Sequence, residues 1–341
     1  MTARIDEICS PASQLRGKGG WARAIGLLVG QMALALSCAA ADYPVKPVKL
    51  VIPFGPGSAS DIIVRRMAPK MTENLGQPVV IENRPGGGGN VAAMALKNAP
   101  PDGYTLMMGH TGTHAINATL YPDLKFDPIK DFQPITALIS FNNILIVPEA
   151  SPAKTAAELV AFAKSKPDGL TYASQGVGAG GHLLGVILAK QTGIKLVHVP
   201  YRGVAPAVTD MVAGRVDMMF SSYLTSSPHI ESGKLRMLAI AGARRHAQIP
   251  DVPTMAEAGF PGVEMEQWFG LFAPAGTPDP IVRRLNREFV AVLQSDEVNK
   301  TLLPQGSIII PGTPEDLAAR IARDVVALGR VVKNSGATPT E

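Results

Sequence analysis

Two stretches hold the residue types best suited to cradle an anion. The first is Pro53-Phe54-Gly55-Pro56-Gly57-Ser58-Ala59-Ser60-Asp61, which follows the apolar run Leu50-Val51-Ile52. The second is Gln175-Gly176-Val177-Gly178-Ala179-Gly180-Gly181-His182, which begins 120 residues after Gly55. In each, an apolar run reads as a buried strand, glycine breaks it, and a helical segment follows. A strand that enters a helix this way leaves N–H groups without intrahelical partners, with the helix dipole behind them.

Tools for transforming a bound anion are scarce. Gly55-x-Gly57-x-x-Ser60 with Glu82 has the outline of a dinucleotide fingerprint. Its third glycine is replaced by Ser60, however, and Asp61 would set a negative charge beside a pyrophosphate. Asp61 has two open readings. It is a first-turn acid that stabilises the helix dipole by about 0.3–1 kcal/mol, or it orders the loop donors or binds a ligand ammonium. His110 and His114 have i, i+4 spacing with no carboxylate between them. The intervening Thr111, Gly112 and Thr113 suit hydrogen bonds to a ligand better than a metal shell. His182 reads equally well as a capping residue or a ligand contact, and His198, between two valines, as a core or sheet-end histidine. Neither Ser58 nor Ser174 sits in a Gly-x-Ser-x-Gly elbow. No cofactor and no metal are expected.

The elements that must position these loops alternate regularly. Strands over 48–53, 78–82 and 104–109 enclose helices over 61–75 and 91–98, which implies a parallel sheet with helices on both faces. Residues 135–140 and 143–147 read as two strands, the second crossing into another domain. The alternation then restarts with helix 155–165, strand 170–174, helix 182–191, strand 195–199, helix 205–213, strand 216–220, helix 222–231 and strand 236–241. A return strand over 266–273 precedes amphipathic helices over 279–294 and 314–332. The expected fold class is therefore α/β, in two similar lobes joined by two crossings. Ligands in such sheets lie at the carboxyl ends of the strands. The loops 55–61 and 175–182 would then face each other across a cleft that a hinge can close.

At 341 residues, with 46% hydrophobic and 18% charged residues, the chain suits a packed protein of two domains. The formal charge is +4, but the basic residues are scattered, which argues against nucleic acid as a partner. Residues 1–41 differ from the rest. Arg16, Lys18 and Arg23 precede an apolar run over 24–36 and then Ser37, Cys38, Ala39, Ala40 and Ala41. That is the order of a secretory signal peptide, cleaved after Ala41. Both cysteines, Cys9 and Cys38, leave with it, as do four basic and two acidic groups, so the remaining charge is +2. The mature chain needs no disulfide and no thiol chemistry, and a periplasmic location is expected.

Further motifs run the length of the mature chain. They include Glu82-Asn83-Arg84-Pro85-Gly86, Pro101-Asp102-Gly103-Tyr104-Thr105-Leu106, Tyr172-Ala173-Ser174-x-Gly176-x-Gly178, His198-Val199-Pro200-Tyr201-Arg202-Gly203, Gly214-Arg215-Val216-Asp217 and Trp268-x-Gly270-Leu271. With Pro53-Phe54-x-Pro56-Gly57-x-x-x-Asp61, this ordered set resembles the extracytoplasmic substrate-binding proteins of tripartite tricarboxylate transporters, the Bug/TctC family. The resemblance implies a type II periplasmic-binding-protein fold, a Venus flytrap holding a small carboxylate through backbone donors, hydroxyls and bridging waters. Carried over by position, Phe54, Gly57, Ser58 and Ser60 would contact the ligand from one lobe. Ser174, Gly178, Gly180 and His182 would face them, Thr111 and Thr113 would line the floor, and Asp61, Tyr201 and Asp217 complete the set. Departures are Ser58, where glycine is common, Val186 for a frequent acid and Leu328 for a usual tryptophan.

The reading expected is a solute receptor, not an enzyme. It takes a di- or tricarboxylate, an acidic amino acid or an aromatic acid, acts as a monomer, and delivers its ligand to membrane permease subunits. Lobe I would comprise 42–142 and 274–341, and lobe II 143–273 with the hinge strands. The competing classes are an exported α/β hydrolase acting through Ser58 or Ser174, and a structural protein of the envelope.

Overall fold

The computed structural model describes residues 43–339. The export signal expected over 1–41, with both cysteines, lies outside the described residues. From Pro44 onward the chain forms one compact unit. Strand β1 (Val48–Ile52) is buried except at Lys49, as an apolar run inside a parallel sheet must be. It pairs in parallel with β2 (Val79–Asn83) and β3 (Thr105–His110). Helix α1 (Ala59–Leu75) links β1 to β2, and α2 (Asn90–Lys97) links β2 to β3. Helix α1 buries Ile63, Val64, Met67, Met71 and Leu75 along one face; Ser58 caps its start, and Gly76, left-handed at φ 69°, ends it. A π-turn, Gly112–Ile116, and the short α3 (Asn117–Leu120) follow β3.

Strand β4 (Phe132–Pro148) is a single strand of 17 residues. This corrects the expectation of two strands, 135–140 and 143–147. The expected gap fell at 141–142, yet the ladder runs through it: Asn142 lies opposite Glu266, and Asn143 opposite Ser222. The partner changes there, and the strand does not. Before the switch β4 pairs with β9 (Glu266–Pro274), and after it with β7 (Met218–Ser222) and β8 (Leu235–Ile240).

The second half repeats the α/β plan with α4 (Ala156–Ser165), β5 (Leu170–Ser174), α5 (Gly180–Thr192), β6 (Leu196–Pro200), α6 (Val204–Val212), β7 and α7 (Tyr223–Glu231). Strand β5 pairs in parallel with β6 and β7. The sheet order is β2-β1-β3-β9-β4-β7-β5-β6, with β8 and the two-residue β10 (Ile308–Ile309) also on β4. Helices α8 (Asp279–Leu293), α9 (Asp296–Leu302) and α10 (Pro314–Ser335) close the chain; α9 and β10 were not anticipated. Helix α10 packs on both halves. Its Leu317 and Ile321 join Val51, Trp268 and Phe272, while Val332 joins Leu183, Leu184 and Leu188.

Candidate ligand-binding site

A cavity of about 40 Å³ lies where the carboxyl ends of β1, β3, β5 and β7 meet β4 and β9. The halves touch around it. The Gly55 N–H donates to the Arg202 carbonyl at 3.0 Å, the Tyr121 hydroxyl to the Val177 carbonyl at 3.0 Å, and Ser227 Oγ to Gln305 Oε1 at 3.0 Å. A Cβ on Gly88 would stand 2.0 Å from the Val177 carbonyl oxygen, so this approach requires a bare glycine. Among the described residues lining the cavity none is Asp, Glu, Lys or Arg.

The first loop is bonded mainly to itself. Gly57, left-handed at φ 77°, donates its N–H to Asp61 Oδ2 at 3.0 Å. The Ser58 N–H donates to the Gly55 carbonyl, and Ser58 Oγ accepts from the Asp61 N–H at 3.4 Å while meeting Ser60 Oγ at 3.1 Å. Asp61 also accepts from Arg65 Nε at 2.9 Å and Asn83 Nδ2 at 3.0 Å. Burial pushes its carboxyl up, but the bonds from Arg65, Gly57 and Asn83 outweigh that and hold it below the ordinary value. From this loop only Phe54 and Ala59 line the cavity.

The second loop leaves its helix end bare. Helix α5 has no side-chain N-cap and no acid in its first turn, and Ala179, Gly180 and Gly181 line the cavity. Behind them, His182 Nδ1 accepts the Gly178 N–H at 3.3 Å, which places its proton on Nε2. Burial, reinforced by the neighbouring His198, lowers the His182 pKa to about 3, so the ring is neutral. Ser174 Oγ lies 2.6 Å from His198 Nε2 and bonds to both the N–H and the carbonyl of Gly176. Ser174, Gly178 and His182 therefore build the loop from behind and do not face the cavity.

The remaining anticipated residues serve the scaffold. Thr111 Oγ1 accepts from the Trp268 N–H at 2.8 Å and ties the end of β3 to β9. Thr113 bonds to the His110 backbone and, at 2.8 Å, to His114 Nδ1. His110 does line the cavity, with Nε2 at 3.1 Å from the Gly88 carbonyl and Nδ1 accepting from Gly112. Burial lowers its pKa to about 4. Tyr201 donates to Asp210 Oδ2 at 2.7 Å, and burial together with that carboxylate pushes its pKa up to about 12. Asp217 accepts from Thr171 N and Oγ1 at the amino end of β7. Ser222 at the cavity lies five positions further on, about 17 Å along a strand. No group of three or more metal-ligating side chains occurs among the described residues.

Of the anticipated set, then, Phe54 and Gly180 line the cavity. Sequence reasoning weighed His110 only as a metal ligand and Gln175 only as part of its loop, and it missed Phe141, Asn143, Phe220, Ser222, Gln267 and Phe269. Ser222 was assigned to a helix, although it ends β7, and the rule that ligands meet carboxyl strand ends would have found it. Gln267 sits beside the quoted Trp268 motif. It is 5% exposed, its Nε2 has no hydrogen-bond partner, and a Cβ on Gly180 would fall 2.1 Å from its Oε1. The amide thus rests directly on the N-terminus of α5.

The family model described as "Tripartite tricarboxylate transporter family receptor" matches residues 63–337. A solved periplasmic transporter is 40% identical, with 87% of this chain and 99% of its own covered and a TM-score of 0.83. An R. palustris protein solved with adipate is 36% identical, with 86% and 98% covered and a TM-score of 0.83. The protein BugT of Bordetella pertussis is 32% identical over 314 residues, 92% of this chain and 96% of BugT. With a bare helix end in a cleft between two α/β lobes and a match along nearly all of its described length, the chain belongs to the receptor family of the tripartite tricarboxylate transporters.

Proposed function

We propose that this chain is a periplasmic, monomeric receptor that captures a small carboxylate between its lobes and delivers it to membrane permease subunits. Lobe I comprises 42–142 and 274–341, and lobe II 143–273. The single observation that carries this reading is the unpaired Gln267 amide against the uncapped N-terminus of α5. A buried donor without a partner costs about 1–3 kcal/mol, and one carboxylate oxygen satisfies it while the other meets the helix N–H groups. The adipate held by the R. palustris relative supports a carboxylate. The basic, apolar and small-residue order of 1–41 supports export. No helix among the described residues is long and apolar enough to cross a membrane.

A hydrolase reading draws on the 2.6 Å contact between Ser174 Oγ and His198 Nε2. Ser174 is fully buried and does not line the cavity, which argues for the receptor. Ester turnover by the purified protein, lost in Ser174→Ala, would reverse that choice. The receptor reading is tested by thermal melting against a panel of carboxylates and amino acids. A ligand at 100 times its Kd adds about 2.7 kcal/mol to stability and raises Tm accordingly. No shift across the whole panel overturns it.

A further inference from the structure

The two walls of the cavity differ in kind. On one side four rings follow one another. Phe54 and His110 have ring centroids 4.8 Å apart, His110 and Phe269 6.5 Å, and Phe269 and Phe141 5.3 Å at 28°. All four line the cavity. His110 adds no charge to this row, because Nδ1 accepts from the Gly112 N–H and Nε2 faces the Gly88 carbonyl. On the other side stand the bare start of α5 and Ser222 at the equally uncapped start of α7; the unpaired Gln267 amide, opposite Phe141 in the β4–β9 ladder and two residues before Phe269, reaches from the ring side to the α5 start.

The anion-binding potential is therefore one-sided. Helices α5 and α7 carry neither side-chain caps nor first-turn acids. Helix α1, on the ring side, has Ser58 as its cap and Asp61 in its first turn. Lining residues include no Lys or Arg to balance a second charge. A carboxylate turned toward the rings would lose its water with no cation in return, whereas a flat apolar body there gains stacking against Phe269 and Phe141.

We propose that the ligand is an aromatic monocarboxylate, its carboxylate on the α5 and α7 starts and the Gln267 amide, its ring on the Phe54–His110–Phe269–Phe141 row. The inference rests on the carboxylate-receptor reading above and narrows it. The cavity, at about 40 Å³, is smaller than the ~150 Å³ void known to hold benzene. Phe141 is the half-buried member of the row and also lines a second void of about 10 Å³ behind it. The two voids together remain well short of that size, so seating an aromatic ring requires the two halves to part as well as the Phe141 ring to turn.

The test is calorimetry of the full mature chain with benzoate and adipate as probes. Benzoate should bind at least tenfold more tightly than adipate. Phe141→Leu, which keeps the site apolar, should lower the ratio of benzoate to adipate affinity about 2- to 12-fold, the range for one aromatic pair. Adipate binding as tightly as benzoate, or equal losses for both in Phe141→Leu, overturns the aromatic assignment and leaves the receptor standing. No binding of either probe, when another aliphatic carboxylate does raise Tm, also overturns only the narrower claim. Silence from every carboxylate removes both.

Discussion

The two glycine loops reach the cleft by the same strand–loop–helix route and both satisfy part of their own backbone, yet they differ at the first turn of the helix they enter. In 55–61 the Gly57 and Asp61 N–H groups are taken by Asp61 and Ser58 of the same loop. In 175–182 the glycines lead into a helix with no cap, and the amide of a distant strand rests over its first residue. Both loops satisfy the sequence pattern of an anion cradle. A loop that caps its own helix leaves few donors for a ligand, whereas a loop that leaves the helix end bare keeps them available, as the proposed site requires.

The largest expected effect comes from adding one methyl group to each loop. Gly180→Ala suits a helical backbone, but its Cβ would lie 2.1–2.5 Å from the Gln267 amide atoms and displace them. Losing a hydrogen bond to a charged ligand weakens binding by roughly 10- to 100-fold. Gly57→Ala meets nothing within 4 Å but must hold φ 77°. It should lower stability by about 1–2 kcal/mol and change affinity less than threefold. Calorimetry and denaturant unfolding of both variants check this pair. Equal affinity losses would erase the distinction between the loops.

Acid separates the loops next. His182 has a folded pKa of about 3 against an ordinary 6.5, so the unfolded chain takes up its proton first. Its contribution is complete above pH 6.5 and declines as pH falls toward 3, by up to about 1.4 kcal/mol per pH unit. Asp61 is held below its ordinary 3.8, so its contribution is complete above that value and declines only as pH falls further, through the folded pKa. The second loop therefore loosens at milder acidity than the first. Unfolding free energies measured from pH 7 to 3 should lose about one proton of slope above pH 4 in His182→Gln. Asp61→Asn should keep that slope and be destabilised by about 1–3 kcal/mol at pH 7. The reverse assignment of slopes would refute this ordering.

Much of the fold was legible because its determinants are local. The buried run of β1, the apolar stripe of α1 and the glycines that end each element announce themselves. The continuity of β4 was not legible, since exchanging β9 for β7 as partner at Asn142–Asn143 is a property of the sheet and leaves no mark on strand periodicity. The site divided along the same line. Phe54 and Gly180 lie within the loops that the pattern marked. His110, Phe141, Asn143 and Gln267 come from strands that meet only in the folded sheet. Ser174, Gly178 and His182 satisfied the pattern yet build the loop from behind, because a motif fixes which residues are near one another and not which way a side chain turns.

The smallest expected effect on binding tests the residue where the first loop departs from its family. The resemblance set glycine as the expected residue at the position of Ser58, and a hydroxyl there suggested altered selectivity. Ser58 is fully buried, caps α1 through its contact with the Asp61 N–H, and does not line the cavity. Glycine is itself a tolerated N-cap, within a few tenths of a kcal/mol of serine. Ser58→Gly should therefore cost a few tenths of a kcal/mol at the cap and about 1–3 kcal/mol at the buried Ser60 Oγ, which loses its 3.1 Å partner. The affinity ratio between benzoate and adipate should stay the same. A change in that ratio beyond threefold would place Ser58 in contact with the ligand and return the first loop to the role its glycines advertise.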